Sequence, residues 1–120
     1  MKRRIRAKET EGDIQRRIVD WLELEYGAVV LQNRSTKSGA ILDRIAGNKS
    51  AKGSPDLIAA LLAGRTAWIE IKKPGQKLTK EQDQYLARLQ ANGHLAFVAC
   101  DTLDIDRVLY FFKPLARRRR

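Results

Sequence analysis

The sequence predicts an α/β sandwich with mixed strand pairing, and three observations carry that expectation. Apolar residues recur at helical spacing after Thr10 and again after Thr79, short β-branched or alternating runs lie between and beyond them, and two of those runs flank a tight turn. The order that results is helix, strand, strand, strand, helix, strand, helix. With 120 residues and 43% hydrophobic content, residues 1–120 suit one domain.

Each element has its own signal. Thr10 with Asp13 three residues on forms a capping pattern, and Ile14, Ile18, Trp21 and Leu22 then give a helix from about Glu11 to Tyr26 that Gly27 ends. Ala28–Gln32 reads as a short strand of the kind found in a sheet interior. From Asn33 to Lys52, Ser, Gly, Asn and Lys interrupt the apolar pattern, which predicts a long functional loop. Its cations Arg34, Lys37, Arg44, Lys49 and Lys52 either guide a phosphate backbone or form a solvated surface.

Asp56 opens the next apolar run, a turn spans Ala63 to Arg65, and the following run alternates. Trp68, Glu70 and Lys72 share one face, whereas Ala67, Ile69 and Ile71 share the other. Similar strand lengths on either side of the turn bring Asp56 to the end where Glu70–Lys72 lies. Two carboxylates and a lysine therefore converge, an arrangement able to hold a divalent cation. Thr79-Lys80-Glu81-Gln82 is a capping box opening a helix with Tyr85, Leu86 and Leu89 on its apolar stripe. Gly93 ends it, Leu95–Ala99 is the fourth strand, and Asp101 caps a last helix in which Leu103, Val108, Leu109 and Phe112 supply packing before Pro114.

Charge narrows the partners. The formal net charge is +10, from 24 Lys and Arg against 14 Asp and Glu, which favours polyanions and nucleic acid first. Basic tails at about 1–8 and 116–120 carry part of the excess. A single cysteine, Cys100, rules out an internal disulfide, and no run approaches the ~20 apolar residues of a membrane span. A cytoplasmic protein without membrane association is expected.

Pro55-Asp56 followed by Glu70-Ile71-Lys72 resembles the PD-(D/E)xK nuclease signature, set in the αβββαβ order of those nucleases. More narrowly, Gly-Ser-Pro-Asp-Leu-Ile, Ile-Glu-Ile-Lys-Lys-Pro, Leu-Thr-Lys-Glu-Gln and the later Gly93-His94 resemble the VRR-NUC (virus-type replication-repair nuclease) domain over roughly Glu11 to Ala99. The resemblance implies a restriction-endonuclease-like core with a mixed central sheet, followed here by a C-terminal helix. It also implies a metal-dependent, structure-selective DNA endonuclease that cuts branched DNA such as Holliday junctions, and a homodimer. Asp56, Glu70 and the Ile71 carbonyl would ligate Mg2+ or Mn2+, and Lys72 would contact the attacking water or the scissile phosphate.

Such nucleases often add a glutamate from the first helix, and Glu9, Glu11, Glu23 and Glu25 are available. Glu11 precedes Ile14 and Ile18 on the buried stripe and is the best placed, as a site acid or as a favourable charge at the helix amino terminus. Gln82 matches the glutamine that the family places after the lysine, and it competes with itself as the third residue of a capping box. Two alternatives stay open: a non-catalytic nucleic-acid-binding module, and a nuclease of ordinary duplex DNA or of RNA.

Overall fold

In the computed structural model, which describes residues 9–33 and 52–118, the first helix is the element that the capping pattern promised. α1 spans Glu11–Tyr26: the Thr10 hydroxyl accepts from the Asp13 N–H, the Asp13 carboxylate accepts from the Thr10 N–H, and Gly27 closes the helix at φ 61°. Ile14, Ile18, Val19, Leu22 and Tyr26 point into the protein from one side of it.

Four strands follow: β1 (Val29–Gln32), β2 (Leu57–Ala60), β3 (Thr66–Ile71) and β4 (Leu95–Ala99). They form one mixed sheet in the order β1-β2-β3-β4, with the first two pairings antiparallel and β3–β4 parallel. The β2–β3 connection is a short 3-10 turn, Leu62–Gly64, in which Ala63 and Gly64 both have positive φ, and Leu61 donates its N–H to the Arg65 carbonyl. The parallel pairing requires a crossover, which α2 (Lys80–Ala91) supplies. α3 (Thr102–Leu109), capped by Asp101, then leads into 3-10 turns at Tyr110–Phe112 and Leu115–Arg117. No helix among the described residues is long and apolar enough to cross a membrane.

The alternation read in β3 sorts its residues as expected. Ala67, Ile69 and Ile71 join Ile14, Ile18, Leu22, Leu57, Ala59, Ile105 and Leu109 in the main core. Trp68, Glu70 and Lys72 face the other way, the side on which Gln82 of α2 meets Glu70.

Two expectations need correction. Among the described residues β1 is not an interior strand: it lies at the edge of the four-stranded sheet, where Val29 and Leu31 are 68% and 63% exposed. A short apolar run looks alike in both settings, and only its neighbours decide between them. In α3, Leu103 and Val108 are exposed, whereas Ile105 and Leu109 are fully buried, with Phe112 packed on the core. The buried set 105, 109, 112 is the true helical stripe. The loop cations Arg34, Lys37, Arg44 and Lys49 lie outside the described residues, as do the amino-terminal basic tail to residue 8, Arg119 and Arg120.

A buried charge cluster fastens the carboxyl end to α1. Asp106 accepts from the Tyr26 hydroxyl at 2.6 Å and pairs with the Lys113 ammonium at 3.1 Å. That ammonium is enclosed by the rings of Trp21, Tyr26 and Tyr110, with centroids 5.7, 5.4 and 5.3 Å away. Burial, reinforced by the hydrogen bond to Asp106 and its charge, holds the Tyr26 phenol proton far above the ordinary range.

Candidate active site

The register of the central hairpin assembles the site. Leu57 pairs with Ile69, so Asp56, one residue outside β2, arrives beside the last turn of the β3 ladder. Its Oδ2 accepts the Ile71 N–H at 2.8 Å, which fixes one carboxylate oxygen, and the carboxyl stands close enough to Glu70 to act on it. The chain leading to Asp56 is held from both sides. Asn33, just past β1, donates its side-chain amide to the Ser54 hydroxyl at 2.5 Å and to the Pro55 carbonyl at 3.1 Å, and its own N–H to the Asp56 carbonyl at 2.8 Å.

On the other side Gly53 presses against the start of α2. It has φ +87°, and a Cβ there would meet the Glu81 carbonyl carbon and oxygen at 2.5 and 2.6 Å and the Gln82 nitrogen at 2.8 Å. Asn33 was given no role by sequence reasoning, and Gly53 was named only as the first residue of the Gly-Ser-Pro-Asp-Leu-Ile motif. The signal that could have found Gly53 is a glycine three residues before a site acid, where backbone must pass close to backbone. Gly53→Ala is accordingly expected to lower cleavage by about 10²-fold or more by displacing Asp56, since an ångström of misplacement has effects of that order. Activity assays with circular dichroism would separate this from unfolding.

Glu70 is 2% exposed and Lys72 5% exposed, an unusual state for charged side chains. The Lys72 Nζ stands 4.0 Å from Glu70 Oε2, and the same oxygen accepts the Gln82 side-chain amide at 3.1 Å. Gln82 does not have to choose between capping and the site: its Oε1 accepts the Thr79 N–H at 2.9 Å while its Nε2 reaches Glu70. The two ends of one amide perform the two tasks that the sequence set in competition.

Glu70 Oε1 is buried and has no hydrogen-bond partner among the described residues. Burial pushes this carboxyl up to about 8, the charge and close approach of the Asp56 carboxyl push it the same way, Lys72 pulls it back, and Glu11 adds a further upward push. That last effect places Glu11 within electrostatic reach of Glu70, although α1 packs on the opposite face of β3. Among the other helix glutamates, Glu9 is paired with Arg17 at 3.0 Å, and Glu25 acts on Tyr26 at the far end of α1. No three acidic, histidine or cysteine side chains among the described residues stand close enough to hold a metal as a set, so Glu11 does not join Asp56 and Glu70 in a three-carboxylate cluster. His94 is exposed and rests edge-on against Trp68, with centroids 6.1 Å apart.

The residues present fit a hard divalent cation. Two carboxylates meet in a desolvated corner, one buried oxygen lacks a donor, and oxygen donors of this kind suit magnesium or manganese.

Comparison with known proteins gives this corner its context. The family model of the VRR-NUC domain matches residues 4–101, most of the chain and every residue of the corner. The chain belongs to the VRR-NUC family of nucleases. Two solved VRR-NUC structures share its fold: one described as "VRR_NUC domain" has a TM-score of 0.62 at 21% identity and covers 85% of this chain and 96% of its own. The other, "VRR_NUC domain protein", has a TM-score of 0.57 at 20% identity and covers 90% of each chain. A phage protein named "Putative nuclease p44", from Acyrthosiphon pisum secondary endosymbiont phage 1, is 40% identical over 58 residues, 48% of this chain and 61% of that protein.

The titration of Glu70 carries a signature within this VRR-NUC chain. A carboxyl raised from 4.5 to about 8 in the folded state keeps its proton on folding, so its contribution is full below pH 4.5 and is lost as pH rises through 8. In EDTA, the wild type is expected to lose about 2 kcal/mol more stability than Glu70→Gln between pH 5 and 8, after discounting for water and ions that reach the site. Denaturant midpoints at both pH values check this; equal slopes would contradict it.

Proposed function

We propose that the chain is a metal-dependent, structure-selective DNA endonuclease that cleaves the phosphodiester by attack of water. The observation that supports this most is the half-buried Asp56 beside the buried Glu70, with a Glu70 oxygen lacking a donor and a buried lysine beside it. Asp56, Glu70 and the Ile71 carbonyl would hold Mg2+ or Mn2+. Bound there, the ion supplies charge neutralisation at the phosphate and a water that ionises near neutral pH.

The protein's own groups do the positioning. The Ile71 N–H orients Asp56, and the Gln82 amide holds one oxygen of Glu70 while the other stays available. Lys72, buried and projecting from the same strand face as Glu70, places positive charge where the scissile phosphate gains negative charge, and orients the attacking water. Glu11 contributes negative potential from the amino terminus of α1, strengthening the site's preference for a cation.

Branched DNA such as a Holliday junction is the proposed substrate, and a homodimer the proposed assembly, since paired cuts in two strands require two sites. The exposed edge of β1, with Val29 and Leu31 side by side on one face, is the surface that best supports pairing with a second copy. Comparing cleavage of four-way junction, flap and linear duplex in Mg2+ tests the substrate: a junction cut symmetrically and at least tenfold faster than duplex supports it, and equal rates would assign the chain to ordinary duplex instead.

A further inference from the structure

The carboxyl-terminal segment combines exposed aromatic surface with one sign of charge. From Arg107 to Arg118 there are four cations and no acid, and the sequence continues with Arg119 and Arg120. Lys113 and Phe112 anchor this segment inward: the ammonium is 4% exposed in its ring of aromatics, and Phe112 packs on the core. With those two turned in, their neighbours turn out. Phe111 is 76% exposed and Leu115 is 80% exposed.

The exposed ring is not loosely held. Tyr110 meets Phe111 edge to face, with centroids 5.4 Å apart and planes at 90°. The Arg118 guanidinium lies over the Phe111 ring, 5.9 Å from its centroid, and is itself fixed by donating to the Lys113 carbonyl at 3.1 Å and to the Phe111 carbonyl. A large apolar ring is thus presented to solvent by a buried anchor, with a guanidinium already oriented beside it. Little conformational entropy remains to be lost when something stacks there.

We propose that Phe111, with Arg118 and Arg117, forms a second nucleic-acid site that stacks an unpaired base and holds its phosphates, separate from the cleavage site. Single-stranded polynucleotide is the occupant that the chemistry favours, because an aromatic face accepts any unpaired base whereas the bases of a duplex are already stacked. Charge argues against a second copy: self-association through this patch would bring two arginine-rich segments together without an acid between Arg107 and Arg118 to offset them.

The site sits away from the acids. Lys113 is gripped at the Trp21–Tyr26 end of α1, and Phe112 lies under Arg65 of the β2–β3 turn. Glu11 and Asp56 occupy the opposite ends of those elements, α1 itself running ~22 Å from Glu11 to Tyr26 at 1.5 Å per residue. A strand held at Phe111 would therefore lie several nucleotides from the cleavage site, which narrows the proposed preference for branched DNA to branches that carry a single-stranded arm and rests on that reading for its purpose.

The test is binding in EDTA, so that cleavage plays no part. Fluorescence anisotropy of a labelled oligothymidine about twenty nucleotides long, and of a duplex of equal length, is measured with wild type, Phe111→Ala, Phe111→Leu and Phe111→Trp. Phe111→Ala and Phe111→Leu are expected to weaken single-strand binding by about fivefold or more, with Phe111→Trp restoring it and duplex affinity changing less than twofold. Single-strand affinity unchanged by Phe111→Ala, or a wild type that does not bind the oligothymidine, would overturn the proposal. So would a sedimentation shift from dimer to monomer in Phe111→Ala with single-strand affinity intact, which would make the patch a contact between copies. Oligothymidine binding is read in EDTA and cutting in Mg2+, so a failure of the nuclease reading would appear in cleavage assays and leave this result standing.

Discussion

Lys72→Met is expected to cleave about 10²- to 10³-fold more slowly than wild type while binding substrate with little change, the magnitude typical of removing one preorganised charge from a transition state. The side chain is 5% exposed and stands 4.0 Å from the Glu70 carboxylate. Methionine fills a similar volume, so the packing is kept and the charge alone is removed. Single-turnover rates at saturating enzyme separate chemistry from binding. A rate within fivefold of wild type would mean that Lys72 serves only to balance Glu70. Arginine is not expected to rescue, because its planar fork cannot occupy the space of a compact ammonium.

The second large effect is on stability. Asp106→Ala is expected to lower it by about 3–5 kcal/mol, because the Lys113 ammonium and the Tyr26 hydroxyl would remain buried without their carboxylate. Urea unfolding followed by tryptophan fluorescence measures it, with Trp21 itself reporting on the ring of aromatics. The double variant Asp106→Leu with Lys113→Met is expected to recover much of the loss, since an apolar pair of similar size leaves no buried charge alone. A single-variant loss below about 1 kcal/mol would show that water reaches the cluster.

This cluster also marks where sequence reasoning stopped. Tyr26 and Asp106 are 80 positions apart, and a lysine between Phe112 and Pro114 has no local feature that sends it into a cage of rings. Features that depend on neighbours in the chain were legible. Both capping boxes, the glycine at the end of α1, the turn at Ala63–Arg65 and the alternation of β3 follow from backbone geometry that a few residues decide. The meeting of Asp56 with Glu70 was legible for the same reason, because a hairpin fixes register once its turn is placed.

Features that depend on which surface arrives later were not. Val29 and Leu31 read as interior because nothing in four apolar residues says that, among the described residues, β1 has a partner on one side only. Gln82 was set between two roles because its spacing reveals the cap, but not that Glu70 lies within reach of the other end of the amide. Gly53 and Asn33 were given no role because their work is done against Glu81 and Pro55, contacts that only the folded chain creates.

The most direct test of the central claim, that the Asp56–Glu70 corner holds a divalent cation for phosphodiester hydrolysis, is cleavage of a labelled four-way junction by wild type and Asp56→Asn, in Mg2+, in Mn2+ and in EDTA. The account predicts cutting by wild type with either metal, none in EDTA, and a loss of about 10²-fold or more in Asp56→Asn with junction binding retained. Cleavage by wild type that persists in EDTA, or an Asp56→Asn variant as fast as wild type, would contradict it.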